Sequence, residues 1–575
     1  MLNASPLNAA PLNGLAAVGS EPVYIVRGQS FPWRLRVLVG GLDVTAQLTG
    51  TIEIDREEGA AGIGGFSLYI APGTPVVPPD WKGKAVTIDY ISTSQGVTVE
   101  ERRYTGQIAL ASWVPTTRLL NCELSDQLQQ RVEGMTVAAI DSLVGGYWSA
   151  DVFEPVEGRS HWDYALERLS TRTASLDCSP TGELRVTSWY ATAPQFVFGP
   201  GTTLYQSIEL QQADLDRTTN RVEIEFSYRY PRLCQLLESF GWAHPNADGL
   251  VGIGGFCAWR TWSTELPDTD MIESAVTGAG LTLIGGVGGY QLPLSMANPC
   301  GDGNAWTNTY QGLWLSASVS GGRRWAQAVT ESYTLTLTTA EGQIEGSQRV
   351  VRESASCEIE RALADEWADS IESDPDAQPG DLTDEARRVS AISCLLRKGR
   401  TEIISAHRGT SVTWSVPTSL ALAVDLVHTL SLDDQGAKAV GKCRRIQDRF
   451  DLGSGEAITT LSIAVMRGGG TSDALTVPSA PDTSLPALTN SAHQLPTQLG
   501  GRLNDPETGS PISPYEAERL GFAGNYDAKD DLAAVDFPRR VSVEARDIPA
   551  EYRDERTAST SATYLVGIPN DLLEL

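Results

Sequence analysis

The chain has 575 residues, of which 41% are hydrophobic, and it carries a formal net charge of −28 with an isoelectric point near 4.6. This length predicts about four domains, and the apolar content is sufficient for buried cores, but no apolar run is long enough to cross a membrane. The acidic balance argues against a nucleic-acid-binding protein, which needs a basic surface to displace counterions from phosphate. DNA could still pass close by, because an acidic surface repels DNA and does not trap it.

Residues 1–19 are predicted to form an extended N-terminal arm. Leu-Asn pairs recur there every five residues with Pro6 and Pro11 between them, and this spacing fits neither a helix face nor a strand face. The prolines favour extended backbone, and the segment lacks the basic start and continuous apolar stretch of a secretory signal. We expect the arm to dock through three leucines, on its own chain or on a partner, with a disordered terminus as the alternative. These residues are Leu2, Leu7 and Leu12.

Residues 20–125 are predicted to form a first β-barrel-like domain. The segments RLRVLV (34–39), TIEID (51–55) and AVTIDYI (85–91) are short, rich in β-branched residues and partly alternating. Turn residues such as those of EEGAAGIGG and GTPVVPPDWKG separate them. Many short strands divided by such turns favour a sandwich or a barrel.

Residues 126–200 change character and are predicted to form an α+β domain. Ser160 is a good helix N-cap, and the residues after it place Trp162 and Leu169 on one helical face. The segment ASLDCSPTGELRVTSW then predicts a hairpin that turns at Pro-Thr-Gly, residues 180–182.

A second β-barrel-like domain with helices is predicted over residues 201–234 and 326–470. RVEIEFSYRY, at 221–230, alternates apolar and polar residues and is the clearest strand in the chain, and SYTLTLTT is similar. EIERALADEWADSIE and TDEARRVSAISCLLRKGRTEIISAHRG predict two helices, the second ending at Gly409. SVTWSVP, LVHTLSL and AITTLSIAV then return the pattern to strands.

Residues 235–325 are predicted to be an insertion, because this stretch is rich in glycine and holds six of the fourteen tryptophans. Two interpretations of these tryptophans stay open. They could form a stacking platform for host surface glycans, or they could fill a small glycine-rich core, which is the interpretation we favour. The candidates for glycan stacking are Trp259, Trp262, Trp306 and Trp314.

The composition shifts again after the three glycines at 468–470. Seven prolines lie between residues 478 and 514, and apolar runs are few. Residues 471–575 are therefore predicted to form a Pro-rich linker and a C-terminal arm. We expect this arm to dock at its end through the apolar segment YLVGIPNDLLEL.

No motif in the sequence points to catalysis or metal binding. GAKAVGKC, at 436–443, begins like a phosphate-binding loop, but Cys443 replaces the hydroxyl residue that holds magnesium, and the following residues predict a hairpin in place of the required helix. HExxH and the nucleophile elbow are both missing. The eight cysteines are expected to be mostly reduced core thiols, although a pairing among Cys234, Cys257 and Cys300 stays open. We therefore predict no enzyme, no catalytic residue, no cofactor and no metal.

Long stretches of the chain resemble the tail hub, or baseplate hub, proteins of long-tailed bacteriophages. The segment from SVTWSVP to SIAVMRGGG, at 411–470, is similar to that family's second barrel, with a charged strand ending in a turn and a final TTLxxAV strand. TGTIEID to AVTIDY, followed by RRYTGQIALASWVPTTRLLNCELSD, resembles the first barrel, and SHWDYALERLSTRTASLDCSPTGELRVTSW resembles the segment between the barrels. The similarity covers residues 20–235 and 330–470 and leaves out the arms and the insertion.

The resemblance implies a mainly β, multidomain structural protein with α+β segments, two β-barrel-like hub domains and extended terminal arms. It implies a homotrimeric ring in which two similar barrels per chain present six similar faces to a hexameric tail tube, and through which DNA is ejected. The implied partners are the protein itself, the tail tube or distal tail protein, and central tip or fibre proteins, with no specific nucleic-acid binding and no membrane segment. The implied location is the virion, after assembly in the host cytoplasm, and no catalysis is implied.

Other functional classes stay open. A distal-tail ring protein is the nearest structural alternative, and a tail-tip adhesin is the alternative if the Trp-rich insertion binds sugar. A cell-wall hydrolase fused into a tail is disfavoured, because the sequence shows no nucleophile or metal constellation. An extended arm that gains order on binding a neighbouring tail component suits the structural classes.

Overall fold

The computed structural model describes residues 32–575, except 95–96, 214–217, 246–265, 293–311, 340–348, 361–379, 499–515, 517 and 525–538. Strands account for 49% and helices for 16% of the structure, and the buried side chains fall into several separate cores. The predicted mainly β, multidomain fold is therefore confirmed. The described strands close neither of the predicted barrel-like regions, and each of them is an open sheet.

The first β region holds seven antiparallel strands. They are β1 (Trp33–Val39), β2 (Leu42–Asp43), β3 (Leu48–Glu57), β4 (Ile63–Tyr69), β5 (Ala85–Ser94), β6 (Val97–Val114) and β7 (Leu119–Ser125). Their order in the sheet is β3-β4-β7-β6-β5-β1-β2. Alternate side chains meet in one core, in which Val37, Ile52, Ile88 and Leu120 are fully buried. The three strands predicted here from the sequence are β1, β3 and β5.

The segment after β7 contains the predicted helix after Ser160 and the predicted hairpin, and it also contains two helices that were not predicted. Its elements are α1 (Leu128–Glu133), α2 (Val137–Val144), α3 (His161–Ser170), β8 (Ala174–Cys178) and β9 (Leu184–Ser188). The hydroxyl of Ser160 caps α3 by accepting a hydrogen bond from the backbone N–H of Asp163 at 3.2 Å. The buried face of α3 shares a core with Ile140 of α2 and Leu176 of β8.

Two short strands begin the second β region, and the chain then leaves it for a separate sheet built around two very long antiparallel strands. The elements of this part are β10 (Phe196–Phe198), β11 (Glu209–Gln211), β12 (Thr219–Ala243), α4 (Thr269–Gly278), β13 (Thr282–Gln291), β14 (Trp314–Thr339), β15 (Arg349–Glu358) and α5 (Glu385–Ala406). One face of β12 and β14 packs against α5, in a core that includes Ile224, Leu335 and Leu396.

The alternating segments at 221–230 and 332–339 lie in β12 and β14, as predicted. Both strands continue well beyond these segments, so the predicted limits of the insertion at 235 and 325 fall inside continuous strands. The helix predicted from EIERALADEWADSIE lies mostly outside the described residues. The second predicted helix is α5, which ends within three residues of Gly409.

The chain returns to the second β region after α5. The remaining strands of this region are β16 (Ser411–Pro417), β17 (Thr429–Asp434), β18 (Ala437–Asp451) and β19 (Glu456–Ala464). All but the first residue of GAKAVGKC lies in β18, and β18 and β19 form the antiparallel hairpin predicted in place of a phosphate-binding loop. Trp414, Cys443 and Leu461 are fully buried in the core of this region.

One continuous sheet joins the two β regions. Residues Arg445–Asp451 of β18 pair antiparallel with Thr51–Glu57 of β3. Phe450 of β18 and Leu422 pack into the core of the first region. The two regions therefore share a sheet and interlock at its middle, while each keeps a core of its own.

The C-terminal part of the chain adds strands to both sheets. Its elements are β20 (Ser491–Gln494), β21 (Thr497–Gln498), β22 (Gly521–Ala523), β23 (Arg540–Ser542), α6 (Ala550–Arg553), β24 (Arg556–Val566) and β25 (Leu573–Glu574). β24 lies parallel to β14 over 11 residues, and β25 pairs with β18. Tyr564, Val566 and Ile568 enter the core of the long-strand sheet. The segment YLVGIPNDLLEL thus docks on its own chain.

Candidate assembly surface

Both β regions repeat one strand order. Strands β3-β4-β7-β6-β5-β1 of the first region match β11-β16-β19-β18-β17-β10 of the second. Neighbouring strands are antiparallel throughout, except that β10 is parallel to β17 whereas β1 is antiparallel to β5. Six strands in one order, with a single reversal, indicate two structurally equivalent units in one chain.

A glycine lies at the same place in the longest strand of each unit. A Cβ atom on Gly106 of β6 would lie 2.7 Å from the carbonyl oxygen of Ser125 in β7. A Cβ atom on Gly441 of β18 would lie 2.4 Å from the carbonyl oxygen of Ala464 in β19. Any other residue would push the neighbouring strand away, because close-packed interiors do not absorb such an overlap. The same close approach of two backbones is thus present in both units.

A β-bulge follows each glycine three residues later. The register between β6 and β7 shifts at Ala109, and the register between β18 and β19 shifts at Arg444. Bulges bend a strand, and here the first part of each strand pairs with β5 or β17 on its other side. Counting from the bulge gives the equivalent positions beyond it. Leu110 corresponds to Arg445, Ser112 to Gln447 and Val114 to Arg449.

The same counting relates β11 to β3. Glu209 of β11 lies opposite Thr413 of β16, and Glu53 of β3 lies opposite Gly65 of β4. Thr413 and Gly65 are equivalent, because each is reached from the first residue after the bulge of its unit by following two successive strand pairings. Glu209 therefore corresponds to Glu53.

Within the chain, β18 and β3 join the two units edge to edge. Arg449 lies opposite Glu53 in this pairing. Arg445 Nε donates to Asp55 Oδ1 at 2.9 Å, and Gln447 Nε2 donates to Asp55 Oδ2 at 3.1 Å. Facing groups of complementary charge and hydrogen-bonding character favour this register over a shifted one.

A buried ion pair lies beneath the junction. Arg103 of β6 donates to both carboxylate oxygens of Asp448 in β18, at 2.8 and 2.9 Å, and the two side chains are 1% and 0% exposed. Arg103 also donates to the Leu422 carbonyl oxygen at 2.7 Å, and the Thr459 hydroxyl donates to Asp448 at 2.6 Å. These hydrogen bonds offset the loss of hydration that burial imposes on both charges. The pair thereby sets the position of one unit against the other.

A second ionic cluster ties the α+β segment to both units. Asp425 accepts hydrogen bonds from Arg56 of β3, at 2.7 Å, and from Arg185 of β9. Burial alone would raise the pKa of Asp425, but the hydrogen bond from Arg185 and the positive charges of Arg56 and Arg185 lower it to about 2. Three parts of the chain therefore meet at one ionised carboxylate.

The strand edges that correspond by position to the junction, that of β6 in the first unit and that of β11 in the second, have no backbone partner among the described residues. The Leu110–Val114 part of β6 pairs with β7 on one side, and Leu110 is 52% exposed. Residues 104–117 carry no charged side chain, although 20% of the chain is charged. In β11, Glu209 and Gln211 are exposed, and the strand pairs with β16 on one side. An exposed, uncharged strand edge such as that of β6 is suited to pairing with another chain.

One face of the joined sheet forms a polar trough. Two cavities of about 630 and 700 Å³ lie along it, and both are lined by Gln447 and Thr460. Glu57 and Arg445 line one cavity. The other is lined by further carboxylates, amides and hydroxyls, by a guanidinium group and by several apolar side chains. Because charges of both signs line the two cavities, the trough presents no continuous basic surface to nucleic acid.

The site residues predicted from the sequence fall mostly outside the described residues, and the two predictions that they carry stay untested. Those outside are Leu2, Leu7, Leu12, Trp259, Trp262 and Trp306. Trp314 is described: it lies in β14, is 8% exposed, and packs in a core with Phe240 and Val276. Its Nε1 donates to the hydroxyl of Thr269 at 2.9 Å. In this chain the buried ring leaves little surface for a sugar.

The described part of the chain holds no group of three or more His, Cys, Asp or Glu side chains that could bind a metal ion. None of the helices described in it combines the length and the apolar character of a membrane-crossing helix. Six cysteines are described, and all are buried free thiols. Burial raises the pKa of Cys122 to about 12, which disfavours a reactive thiolate. Cys257 and Cys300 lie outside the described residues.

No family model and no curated protein matches the chain. Among solved structures, the tail protein from Neisseria meningitidis MC58 has a TM-score of 0.36 at 11% identity, covering 75% of this chain and 96% of that one. The 43 kDa tail protein of prophage MuSo2 from Shewanella oneidensis has a TM-score of 0.37 at 10% identity, covering 75% and 98%. The E. coli c3393 protein, a component of the type VI secretion system described as similar to the T4 tail proteins gp27 and gp5, has a TM-score of 0.26 at 7% identity, covering 78% and 79%. No residue role passes to this chain at such identities.

Proposed function

We propose that this chain is a structural tail hub protein, which forms a ring that adapts a hexameric tail tube to a threefold tail tip and lets DNA pass. The observation that supports it most directly is the duplication. Two equivalent β units are joined edge to edge by β18 and β3. The strands at the corresponding positions, β6 for β18 and β11 for β3, keep open edges among the described residues. The resemblance of residues 20–235 and 330–470 to tail hub proteins points to the same function.

The open edges of one copy fit those of the next. By position β6 corresponds to β18 and β11 corresponds to β3, so β6 of one chain is proposed to pair with β11 of a neighbour as β18 pairs with β3. Such an interface joins two different surfaces head to tail, and head-to-tail contacts that close generate rings. Three chains, as the resemblance implies, then place six equivalent units around one axis, which suits a hexameric tube.

The equivalence also sets the register between copies. Val114 of one copy lies opposite Glu209 of the next. Within the chain, the same positions are held by Arg449 and Glu53, a complementary pair of charges. The proposed interface thus places an apolar residue against a carboxylate, and a charge introduced at Val114 would meet it directly.

A charge exchange at this register tests the ring. Val114→Glu is expected to shift the purified protein from trimer toward monomer, because like charges facing each other across a strand pair are destabilising. Val114→Lys is expected to preserve the trimer, since it reproduces the charge pair of the internal junction. Combining Val114→Glu with Glu209→Lys is expected to restore the trimer. Mass photometry gives the oligomeric state, and circular dichroism checks the fold of each variant.

Two results would count against this proposal in different ways. A trimer that is indifferent to Val114→Glu, or that is lost equally with Glu and with Lys, would show that β6 and β11 do not meet between copies. A protein that stays monomeric at every concentration and cleaves peptidoglycan or glycans would contradict the hub function itself.

In the ring, the polar trough is proposed to face the channel. Its mixed, hydroxyl-rich lining offers DNA no run of cations to bind, and the net charge of −28 adds a general repulsion. DNA would then slide through without being held, which is what ejection requires. A distal-tail ring protein, the alternative within the structural class, would share this channel and differ in its neighbours.

The arms and the insertion complete the proposal. Leu2, Leu7 and Leu12 are proposed to anchor the N-terminal arm on a neighbouring subunit or tail component. The partners are a tail tube or distal tail protein on one side and central tip or fibre proteins on the other, in a virion tail assembled in the host cytoplasm. The predicted first β region and α+β segment are retained as domains, and the second β unit is proposed to be interrupted by the long-strand sheet. The role of the protein is structural, with no catalysis.

A further inference from the structure

A small cavity lies between the α+β segment and helix α5. Its volume is about 270 Å³, and its walls come from the residues after α3, from β9 and from the second half of α5. Guanidinium and hydroxyl groups dominate its lining. The residues that carry them include Arg172, Arg397, Arg400, Thr173, Ser188 and Thr401.

The three arginines have no carboxylate partner among the described residues, and no Asp or Glu lines the cavity. Other cations of α5 are paired: Arg387 contacts Asp151 at 2.6 Å, and Lys398 contacts Glu353 at 2.7 Å. The chain as a whole holds 72 acidic and 44 basic residues, so partners are abundant. Three cations around one cavity, with no counter-ion in the part of the chain that the structure describes, therefore indicate a site for an added anion.

Neutral groups hold the guanidinium groups in place. Arg172 donates to a backbone carbonyl oxygen, and Arg397 lies over the ring of Tyr147 at 4.1 Å from its centroid. Arg400 Nη2 donates to the Tyr190 hydroxyl at 3.4 Å, whereas the Nε of Arg400 is buried and has no hydrogen-bond partner in the described part of the chain. Carbonyl oxygens and aromatic rings orient the side chains without cancelling their charge. Among the described residues, one buried donor has no hydrogen-bond partner and three positive charges have no carboxylate beside them.

We propose that this cavity binds a phosphate group, either as the free anion or as the monoester of a small molecule. A phosphate dianion balances more of the three positive charges than one carboxylate does, and its oxygens suit both guanidinium forks and hydroxyl donors. The volume of about 270 Å³ admits the group with a short organic substituent and is too small for a duplex. The bound anion would connect the α+β segment to α5. This ligand goes beyond the structural role proposed above.

Calorimetric titration of the full-length protein at low ionic strength tests the site. Inorganic phosphate is expected to bind in the millimolar range or tighter and to raise the melting temperature, because a ligand that binds the folded state stabilises it. Arg400→Gln is expected to weaken binding at least tenfold. Arg34→Gln is the matched control, since it removes an exposed arginine from β1 and leaves the cavity intact. Glycerol 3-phosphate is titrated in a second experiment. If it binds tenfold more tightly than inorganic phosphate, the natural ligand is a phosphate monoester of a small molecule.

The outcomes separate cleanly. If Arg400→Gln and Arg34→Gln weaken phosphate binding equally, or if sodium chloride at the same ionic strength gives equal heats, the signal comes from general ionic screening. Either result would overturn the proposed site. An absence of binding by both phosphates in the unaltered protein would overturn it as well. If Arg400→Gln does not fold, Arg397→Gln replaces it, with the same tenfold expectation. None of these results depends on ring formation.

Discussion

At the scale of single residues, buried charges lie where parts of the chain meet. Arg103 and Asp448 lie between the two β units, and Asp425 lies where the α+β segment meets them. Such a group stabilises the fold only while its partner is present, because a lone charge in the interior keeps the cost of lost hydration. The joins between units should therefore be the places most sensitive to removal of a charge.

Asp448→Ala is expected to destabilise the protein by about 3–5 kcal/mol, because it leaves the guanidinium of Arg103 buried without its carboxylate. Calorimetric melting of the purified variant measures the loss. Asp433→Ala is the matched control: it breaks an exposed pair with Lys438, whose atoms are 3.9 Å apart, and is expected to cost less than about 1 kcal/mol. Similar losses in the two variants would show that the buried pair has no special role.

Asp425 gives the stability a defined pH dependence. Its pKa in the folded protein is about 2, below the ordinary value of 3.8, so its contribution is present above pH 4 and is lost as the pH falls through about 2. The difference corresponds to roughly 2 kcal/mol. The free energy of unfolding should therefore differ most between wild type and Asp425→Asn at pH 5–7, and the difference should shrink toward pH 2. A difference that stays constant across this range would refute the assignment.

At the scale of elements, the two bulged strands β6 and β18 shape both units in the same way. Each has a glycine on which a Cβ atom would overlap a carbonyl oxygen of the neighbouring strand, and each has a bulge three residues later. The same combination of glycine and bulge thus precedes the internal junction in β18 and the free edge in β6. A change at the glycine should disturb the strand pairing on which the edge depends.

Gly441→Ala is expected to destabilise the protein by about 1–3 kcal/mol, because the new methyl group would overlap the carbonyl of Ala464 and force β18 and β19 apart. Thermal unfolding measures the effect. Gly278→Ala, at the end of α4, is the control, since nothing lies within 4 Å of the added atom and alanine favours the helix. An unchanged melting temperature in Gly441→Ala would mean that the strands adjust freely.

The sequence predicted the elements whose signal lies in neighbouring residues. Helix α3 follows from its Ser160 cap and apolar face, and the clearest part of β12 follows from strict alternation. Pairings between distant segments, such as β18 with β3 and β24 with β14, have no local signal, because they depend on which edges meet after folding. The equivalence of Gly106 and Gly441 could not be predicted from the sequence either, because the two glycines lie in unlike segments, YTGQI and AVGKC.

At the scale of the whole molecule, the C-terminal part of the chain completes both sheets. β24 covers the edge of β14 along residues 329–339, and β25 adds to β18. Residues 471–575, predicted as a linker and an arm, therefore contribute to the interior as well as to the surface. Their loss should affect the fold, whereas loss of the N-terminal arm should affect attachment.

Deletion of residues 556–575 is expected to lower the melting temperature by many degrees and to promote aggregation. It removes three buried side chains, each worth roughly 1.5–3 kcal/mol, and exposes the edge of β14. Those side chains are Tyr564, Val566 and Ile568. Deletion of residues 1–14 is the comparison, and it is expected to leave melting nearly unchanged while weakening incorporation into tails. Melting and incorporation that respond in the opposite way would reverse these assignments.

The parallel pairing of β24 with β14 also has a consequence for the time during which the chain is being made on the ribosome. The 216 residues between Thr339 and Arg556 take roughly 10 to 45 s to synthesise at about 5–20 residues per second. Throughout that interval residues 329–339 of β14 lack their neighbour on one side, because β13 pairs only with the first part of the strand. Nascent chains on one messenger also lie close together. Because β24 is made last and covers this part of β14, we expect slower translation of the intervening segment to lower the fraction of chains that reach the native state.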